Sequence, residues 1–172
     1  MIILGIDPGS AIMGFGILKK IKDCEKGEDK KFEVIDFGCI TTLATFSAGE
    51  RLEQLYNQLN LLIKKHKPDL MSVESLFFFK NLKTVMPVSQ AKGVILLAGT
   101  QKKVPIIEFT PLQVKMAITG YGRAEKKQVL EMIKKTLDLS KFNLKEKNRK
   151  KDDAIDALGV ALCAGLHNKY LF

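Results

Sequence analysis

Four acidic residues stand where a charge needs a reason. Asp7 follows the apolar run Ile2-Ile3-Leu4-Gly5-Ile6, and Glu74 follows Leu70-Met71-Ser72-Val73. Asp153 and Asp156 begin an otherwise apolar stretch that runs to Leu166. An ionised carboxylate beside an apolar core is very costly unless it is paired or metal-bound. Four of them cannot stay ionised together without cations, because like charges raise one another's pKa. An all-oxygen donor set suits Mg²⁺ or Mn²⁺ rather than zinc. Two such ions, roughly 3.5–4 Å apart, activate a water and stabilise the leaving oxygen in phosphodiester hydrolysis. Each acid alone has a plainer role. Asp7 before Pro8-Gly9 could bond its own backbone in a turn, and Asp153 and Asp156 could simply favour a helix N-terminus. Three separate elements that each deliver acids at an apolar end favour the metal site. Asp152 points elsewhere on its helix and reads as a dipole-favoured charge.

These acids require elements that bring residues 7, 74 and 153–156 together. Ile2 to Ile6 read as a buried central strand ending at Asp7. Residues 11–20 read as a second strand beyond a glycine-rich turn, where Gly14 and Gly16 would let a phosphate or metal come close. Phe32 to Thr42 alternates as a third strand, so the first three predict an antiparallel meander. Ser47 and Glu50 form a capping box for a helix with Leu52, Leu55, Leu59 and Leu62 on one face, ending near His66. Asp69 to Ser75 reads as a fourth strand, beside the first if Asp7 and Glu74 are to share one edge. A loop over 76–84 precedes a helix of small and aliphatic residues, with Pro87 in its first turn or kinking it. Val104 to Phe109 is a fifth strand. Thr110-Pro111 opens a helix by N-cap and proline, and Gly120 and Gly122 end it. Ala124 to Leu137 is amphipathic. A last helix from about Lys151 places Asp153 and Asp156 roughly 60° apart on one face. Ile155, Leu158, Leu162 and Leu166 form its core stripe, and Gly159 and Cys163 let it lie close on the sheet. Together this is an α/β fold, a mixed five-stranded sheet with helices on both faces.

The bulk numbers bound the partners. The chain has 172 residues, a length that fits one domain, residues 1–172. Lys and Arg number 28 against 19 Asp and Glu, a net charge of +9, which favours a polyanion such as nucleic acid. The three cysteines are widely spaced, with neither zinc spacing nor an even disulfide set, so a reducing cytosol fits best. The N-terminus lacks the pattern of a signal peptide, and no apolar run reaches the length of a membrane span.

Four motifs, taken together, resemble the RuvC family of Holliday junction resolvases. They are Gly5-Ile-Asp-Pro-Gly-Ser10 with Gly14-x-Gly16, Val73-Glu-Ser-Leu-Phe77 leading to Lys80-Asn81, Gln90-Ala-Lys-Gly93, and Asp153-Ala-Ile-Asp-Ala-Leu158. Their order and spacing match across nearly the whole chain. The resemblance implies an RNase H-like fold, a homodimer, and Mg²⁺-dependent symmetric nicking of four-way DNA junctions in recombination and repair. It implies two ions per site, with Mn²⁺ able to substitute, and Asp7, Glu74, Asp153 and Asp156 as ligands. It also implies a branch-migration complex, RuvA and RuvB, as partner and a cytoplasmic location. Phe77 matches an aromatic that stacks on a base at the junction, and Lys115 and Lys126 match basic residues near the scissile phosphate. The 22–31 stretch reads as an extended hairpin, and Pro87 interrupts the helix expected to form the dimer; both depart from the family's pattern.

Around the site, Lys80, Asn81, Lys83, Lys115, Arg123 and Lys126 are placed to meet DNA, chiefly its phosphates. Base stacking on Phe77 is worth about 1–3 kcal/mol, whereas Phe78 and Phe79 read as a plug under their loop or a dimer contact. The basic run over 145–151 should make binding salt-dependent. His66 and His167 read as structural or surface residues without nearby acids or cysteines, and Tyr121 as a loop anchor. Three rivals remain open. Asp7-Pro-Gly9 with Gly14 also resembles the first phosphate loop of actin-type and sugar-kinase proteins, although no second lobe or phosphate loop follows. Another RNase H-like nuclease, acting on RNA or processing intermediates, would use the same acids. A basic DNA-binding protein without catalysis would leave the strand-end acids unexplained.

Overall fold

The computed structural model describes residues 1–21, 31–75, 82–140 and 149–167, with backbone only for 82–84 and 149–151. Phe77, Phe78, Phe79, Lys80 and Asn81, the side chain of Lys83, most of the 22–31 stretch and most of the basic 141–151 segment lie outside the described residues.

Among the described residues, three successive strands lead into alternating helix and strand and end in three helices. The strands are β1 (Ile2–Asp7), β2 (Ile12–Lys20), β3 (Phe32–Thr41), β4 (Leu70–Glu74) and β5 (Ile106–Phe109). The helices are α1 (Ala48–His66), α2 (Leu82–Gln101), α3 (Pro111–Thr119), α4 (Lys126–Thr136) and α5 (Arg149–Leu166). The sheet order is β3-β2-β1-β4-β5. The first three strands are antiparallel neighbours, and β4 and β5 join in parallel.

Alternation along β1 divides the core in two, since successive side chains in a strand point to opposite faces. Leu4 and Ile6 pack under α1 and α2 with Leu55, Leu59, Ile63 and Ile95. Ile3 packs on the other face with Leu158, Leu162, Ile133 and Val114 of α5, α4 and α3. Asp7 therefore points to the α5 face. The capping boxes at Ser47/Glu50 and Thr110/Gln113 both form, with Ser47 N–H donating to Glu50 Oε2 at 2.7 Å and Thr110 N–H to Gln113 Oε1 at 2.8 Å. Cys163 is buried among apolar side chains, which pushes its thiol up to about 12, so it behaves as a small hydrophobe.

Several expectations need correcting. Gly14 and Gly16 are not in a turn open to a ligand. They lie within β2, and the backbone of α5 covers them. The small residues that let α5 lie on the sheet are Ala157 and Ala161 over Gly5, whereas Gly159 faces Ile118 and Ile133 of α3 and α4. α2 begins at Leu82, inside the expected loop, and runs unbroken through Pro87, which occupies its second turn. Proline there forfeits one intrahelical hydrogen bond and crowds the carbonyl four residues earlier. Leu166, placed in the α5 core stripe, is 42% exposed. Tyr121 is 57% exposed, and it is tied into its loop by backbone: its N–H donates to Thr119 Oγ1 at 3.1 Å and its carbonyl accepts the Ala124 N–H at 3.1 Å. The His66 side chain is nearly covered and does have an acid beside it, with Asp36 Oδ2 3.2 Å from its Nε2.

Candidate active site

The site begins with a register. β1 and β4 pair in parallel with Ile6 opposite Val73, so Asp7 and Glu74, the next residues, leave the sheet side by side. Both stand at strand ends and are half-buried. The third element is set by glycine. A methyl group on Gly14 would lie 2.1 Å from the carbonyl oxygen of Asp153, and one on Gly5 would lie 2.2 Å from that of Ala157. Gly14 itself pairs with Asp7. Backbone-to-backbone contact at Gly5, Gly14 and Gly16 lays α5 flat on β1 and β2, and this sets Asp153 over Asp7. Ser72, fully buried in β4, donates its hydroxyl to the carbonyl of Val160 at 3.0 Å and pins the same helix to the next strand.

The result is one carboxylate cluster. Oxygens of Asp7, Asp153 and Asp156 all lie within 4.8 Å of one another, and each residue is half-buried. Glu74 joins by a hydrogen bond to Asp7. Burial raises the Asp7 pKa well above its ordinary value, and the charges of Glu74, Asp156 and Asp153 raise it further. Burial and then Asp156 push Glu74 up to about 7, against the hydrogen bond from Asp7 and the charges of Lys115 and Lys126. Two carboxylates can share a hydrogen bond only if one holds a proton. A cation bound between them would take that proton's place. The donors are all carboxylate oxygens, converge from three elements and lie close enough for a single ion to touch several. That set fits a hard divalent ion.

Two lysines answer the negative charge. Lys126, the first residue of α4, places Nζ 2.9 Å from Asp156 Oδ2 and 3.8 Å from Asp152 Oδ2. Partial burial lowers the Lys126 pKa, but the hydrogen bond and charge of Asp156 outweigh this and the net shift is upward. Lys115, on α3, lies close enough to Glu74 to stabilise its charged form. The structure thus brings together Asp7, Glu74, Asp153, Asp156, Lys115 and Lys126. Arg123 is exposed in the α3–α4 connection, three residues before Lys126. Asp152, read from sequence as pointing away, is on the rim and shares Lys126. Its position one residue before Asp153 was the available signal.

A family model described as crossover junction endodeoxyribonuclease RuvC matches residues 3–164, which span every element that builds this cluster. The chain belongs to the RuvC family. It is 47% identical over 162 residues to the RuvC crossover junction endodeoxyribonuclease of Fusobacterium nucleatum, covering 94% of this chain and 78% of that one. Among solved structures it is similar to Thermus thermophilus RuvC, with 27% identity, a TM-score of 0.81 and coverage of 96% and 94% of the two chains. A second structure, T. thermophilus RuvC in complex with a Holliday junction substrate, aligns with 29% identity and a TM-score of 0.79, over 95% and 92%. The RuvC fold assigned from the motifs, a mixed five-stranded sheet between helices, is the one found.

Proposed function

We propose that this RuvC-family chain resolves four-way DNA junctions by nicking two symmetric strands, with Asp7, Glu74, Asp153 and Asp156 as the metal ligands of each site. The observation that carries the reading is the convergence of acids from β1, β4 and α5 on one point, since only cations make such a cluster tolerable. Two Mg²⁺ ions per site are proposed, with Mn²⁺ able to replace them; when bound they would activate water and stabilise the leaving oxygen. The chain's own groups do the rest. The carboxylates fix where charge is neutralised, and the glycine-seated α5 keeps Asp153 and Asp156 on the Asp7 side. With a cation bound among the acids, Lys126 would be released from Asp156 to meet the phosphate, and Lys115 would approach it from α3. Phe77, Lys80, Asn81, Lys83 and Arg123 are proposed to contact the junction around this centre. The products are 5′-phosphate and 3′-hydroxyl ends.

The proposed assembly is a homodimer, because a two-fold junction offers two equivalent phosphodiesters to two equivalent sites. The exposed face of α2 supports it. Met86, Gln90, Gly93, Leu97 and Thr100 are all exposed and repeat at alternating steps of four and three, the spacing of a helix–helix seam. Met86 is 67% and Leu97 51% exposed in one chain. The 1–172 unit is proposed to act as one nuclease domain in the cytoplasm, alongside RuvA and RuvB. No helix among the described residues is long and apolar enough to cross a membrane.

The test is Asp7→Asn on a synthetic four-way junction. Binding should survive in a gel-shift assay while metal-dependent nicking disappears. A variant that still cuts removes the acid assignment. Parallel assays on linear duplex and on an RNA–DNA hybrid separate junction resolution from a general RNase H-like nuclease.

A further inference from the structure

An ion pair on the opposite face of the sheet holds the end of β4. Glu108 lies on β5 opposite Val73. Its side chain points toward α2, as does that of Ile106 two residues earlier, which packs in the core below α1 and α2. There the Glu108 carboxylate pairs with Nζ of Lys92 on α2. It also accepts the hydroxyl of Ser75 at 3.3 Å. Ser75 is the residue after Glu74, and its backbone N–H donates to the carbonyl of Phe109 at 2.8 Å. Ser75 is therefore tied twice, once by backbone to β5 and once by side chain to the Lys92–Glu108 pair. On its other side Glu74 follows Val73, which is fully buried. A metal ligand must be held within about 0.5 Å of its productive position, and a strand's last residue would otherwise fray. Lys92 is only 19% exposed, so it is a fixed inner group of α2 and not one of its solvated lysines.

We propose that Lys92 and Glu108 are positioning residues for Glu74, acting through Ser75. They touch neither substrate nor metal. They clamp the exit of β4 beneath α2, so that the Glu74 carboxylate emerges toward Asp7 at a fixed angle. The inference rests on the reading of Glu74 as a metal ligand, and it extends the site to the far side of the sheet.

The experiment measures Mn²⁺ binding to the full-length protein by calorimetry, for Lys92→Met, Glu108→Gln, Ser75→Ala and the exchanged pair Lys92→Glu with Glu108→Lys. Each single variant should weaken Mn²⁺ binding, with Lys92→Met and Glu108→Gln losing about tenfold, as groups behind metal ligands commonly do. The Mg²⁺ concentration for half-maximal junction nicking should rise by the same factor, while metal-free junction affinity stays unchanged. The exchanged pair should restore most of the Mn²⁺ affinity, and a loss confined to metal affinity with metal-free junction affinity intact is what a merely structural role would not produce. Ser75→Ala removes one hydroxyl and keeps both charges, so it reports on the clamp even if a charge variant folds poorly. Wild-type Mn²⁺ affinity in Ser75→Ala, or an exchanged pair that stays as weak as the single variants, overturns the proposal. Wild-type protein that binds Mn²⁺ but cuts no junction overturns the nuclease reading instead.

Discussion

Burial and mutual repulsion raise the pKa values of Asp7 and Glu74 in the absence of metal, and this has a thermodynamic consequence. Both acids have pKa values raised by folding, Asp7 from 3.8 and Glu74 from 4.5 to about 7. The folded chain therefore keeps protons that the unfolded chain has already released. Where the unfolded state binds fewer protons, stability falls as pH rises. For metal-free protein the loss should begin near the ordinary Asp7 value of 3.8 and, for Glu74, run from 4.5 to just above 7. Thermal melts in EDTA should show a lower Tm at pH 8 than at pH 5. Added Mg²⁺ should raise the Tm more at pH 8 than at pH 5, where Glu74 still holds its proton. A Tm that is flat across this range in EDTA would mean that the acids are not strained by one another. Lys126 has the opposite relation to metal. Its ammonium occupies Asp156 at 2.9 Å and repels any cation nearby. Lys126→Met should therefore bind Mn²⁺ several-fold more tightly by calorimetry yet nick junctions more slowly. Tighter metal with unchanged nicking would leave Lys126 as a counter-charge only.

At the scale of elements, the position of α5 rests on glycines that a side chain cannot replace. A Cβ on Gly14 would meet the Asp153 carbonyl at 2.1 Å, and backbone cannot swing aside as a side chain can. Gly14→Ala must lift α5 away from β2. Overpacking of this kind typically costs about 1–3 kcal/mol, and the helix carries two of the four acids with it. The expected outcome is a folded, less stable protein that binds Mn²⁺ weakly and does not nick. Gly49→Ala is the control, since nothing lies within 4 Å of its added methyl; it should gain no more than about 1 kcal/mol from helix propensity. Urea unfolding and calorimetry on both variants check the contrast. The same elements show what could be read in advance. Strand ends and capping boxes follow from local signals: Asp7 and Glu74 each end an apolar run, and Ser47 and Thr110 each precede a partner three residues on; that β1 and β4 are neighbours followed only from requiring Asp7 and Glu74 to share an edge. The purpose of Gly14 and Gly16 was not legible, because a glycine signals only that something comes close. What comes close here is a helix about 140 residues later in the chain. The sheet-facing side of α5 was misassigned for a related reason. Nearly every residue from Ala154 to Gly165 is buried, so hydrophobic periodicity gives no face. The Lys92–Glu108 pair was invisible because residues 16 apart meet only through the order of β4, α2 and β5.

For the whole molecule, two opposed fields must coexist. The chain carries +9 overall, while four carboxylates converge at one place, answered among the described residues by Lys115 and Lys126. The broad positive field draws DNA in, and the local negative cluster repels the phosphate to be cut until cations fill it. Binding and cutting are thereby separated: the first depends on lysines and arginines spread over the surface, the second on a site that stays closed to phosphate without metal. In the proposed dimer both functions double, and the α2 seam decides whether they do. Leu97 is 51% exposed at the centre of that stripe, and a charge there would face its own copy across a two-fold axis, where like charges cannot avoid each other. Leu97→Glu should be monomeric by analytical ultracentrifugation, with little change in Tm, because the side chain is already in water in one chain. Each protomer of a symmetric dimer supplies the same phosphate contacts, so the monomer should lose about half of the slope of log Kd against log salt concentration. A monomer should also leave one nick where the dimer leaves two. An unchanged salt slope in a proven monomer would mean that one protomer makes all the contacts, and the matching of protein symmetry to junction symmetry would lose its physical basis.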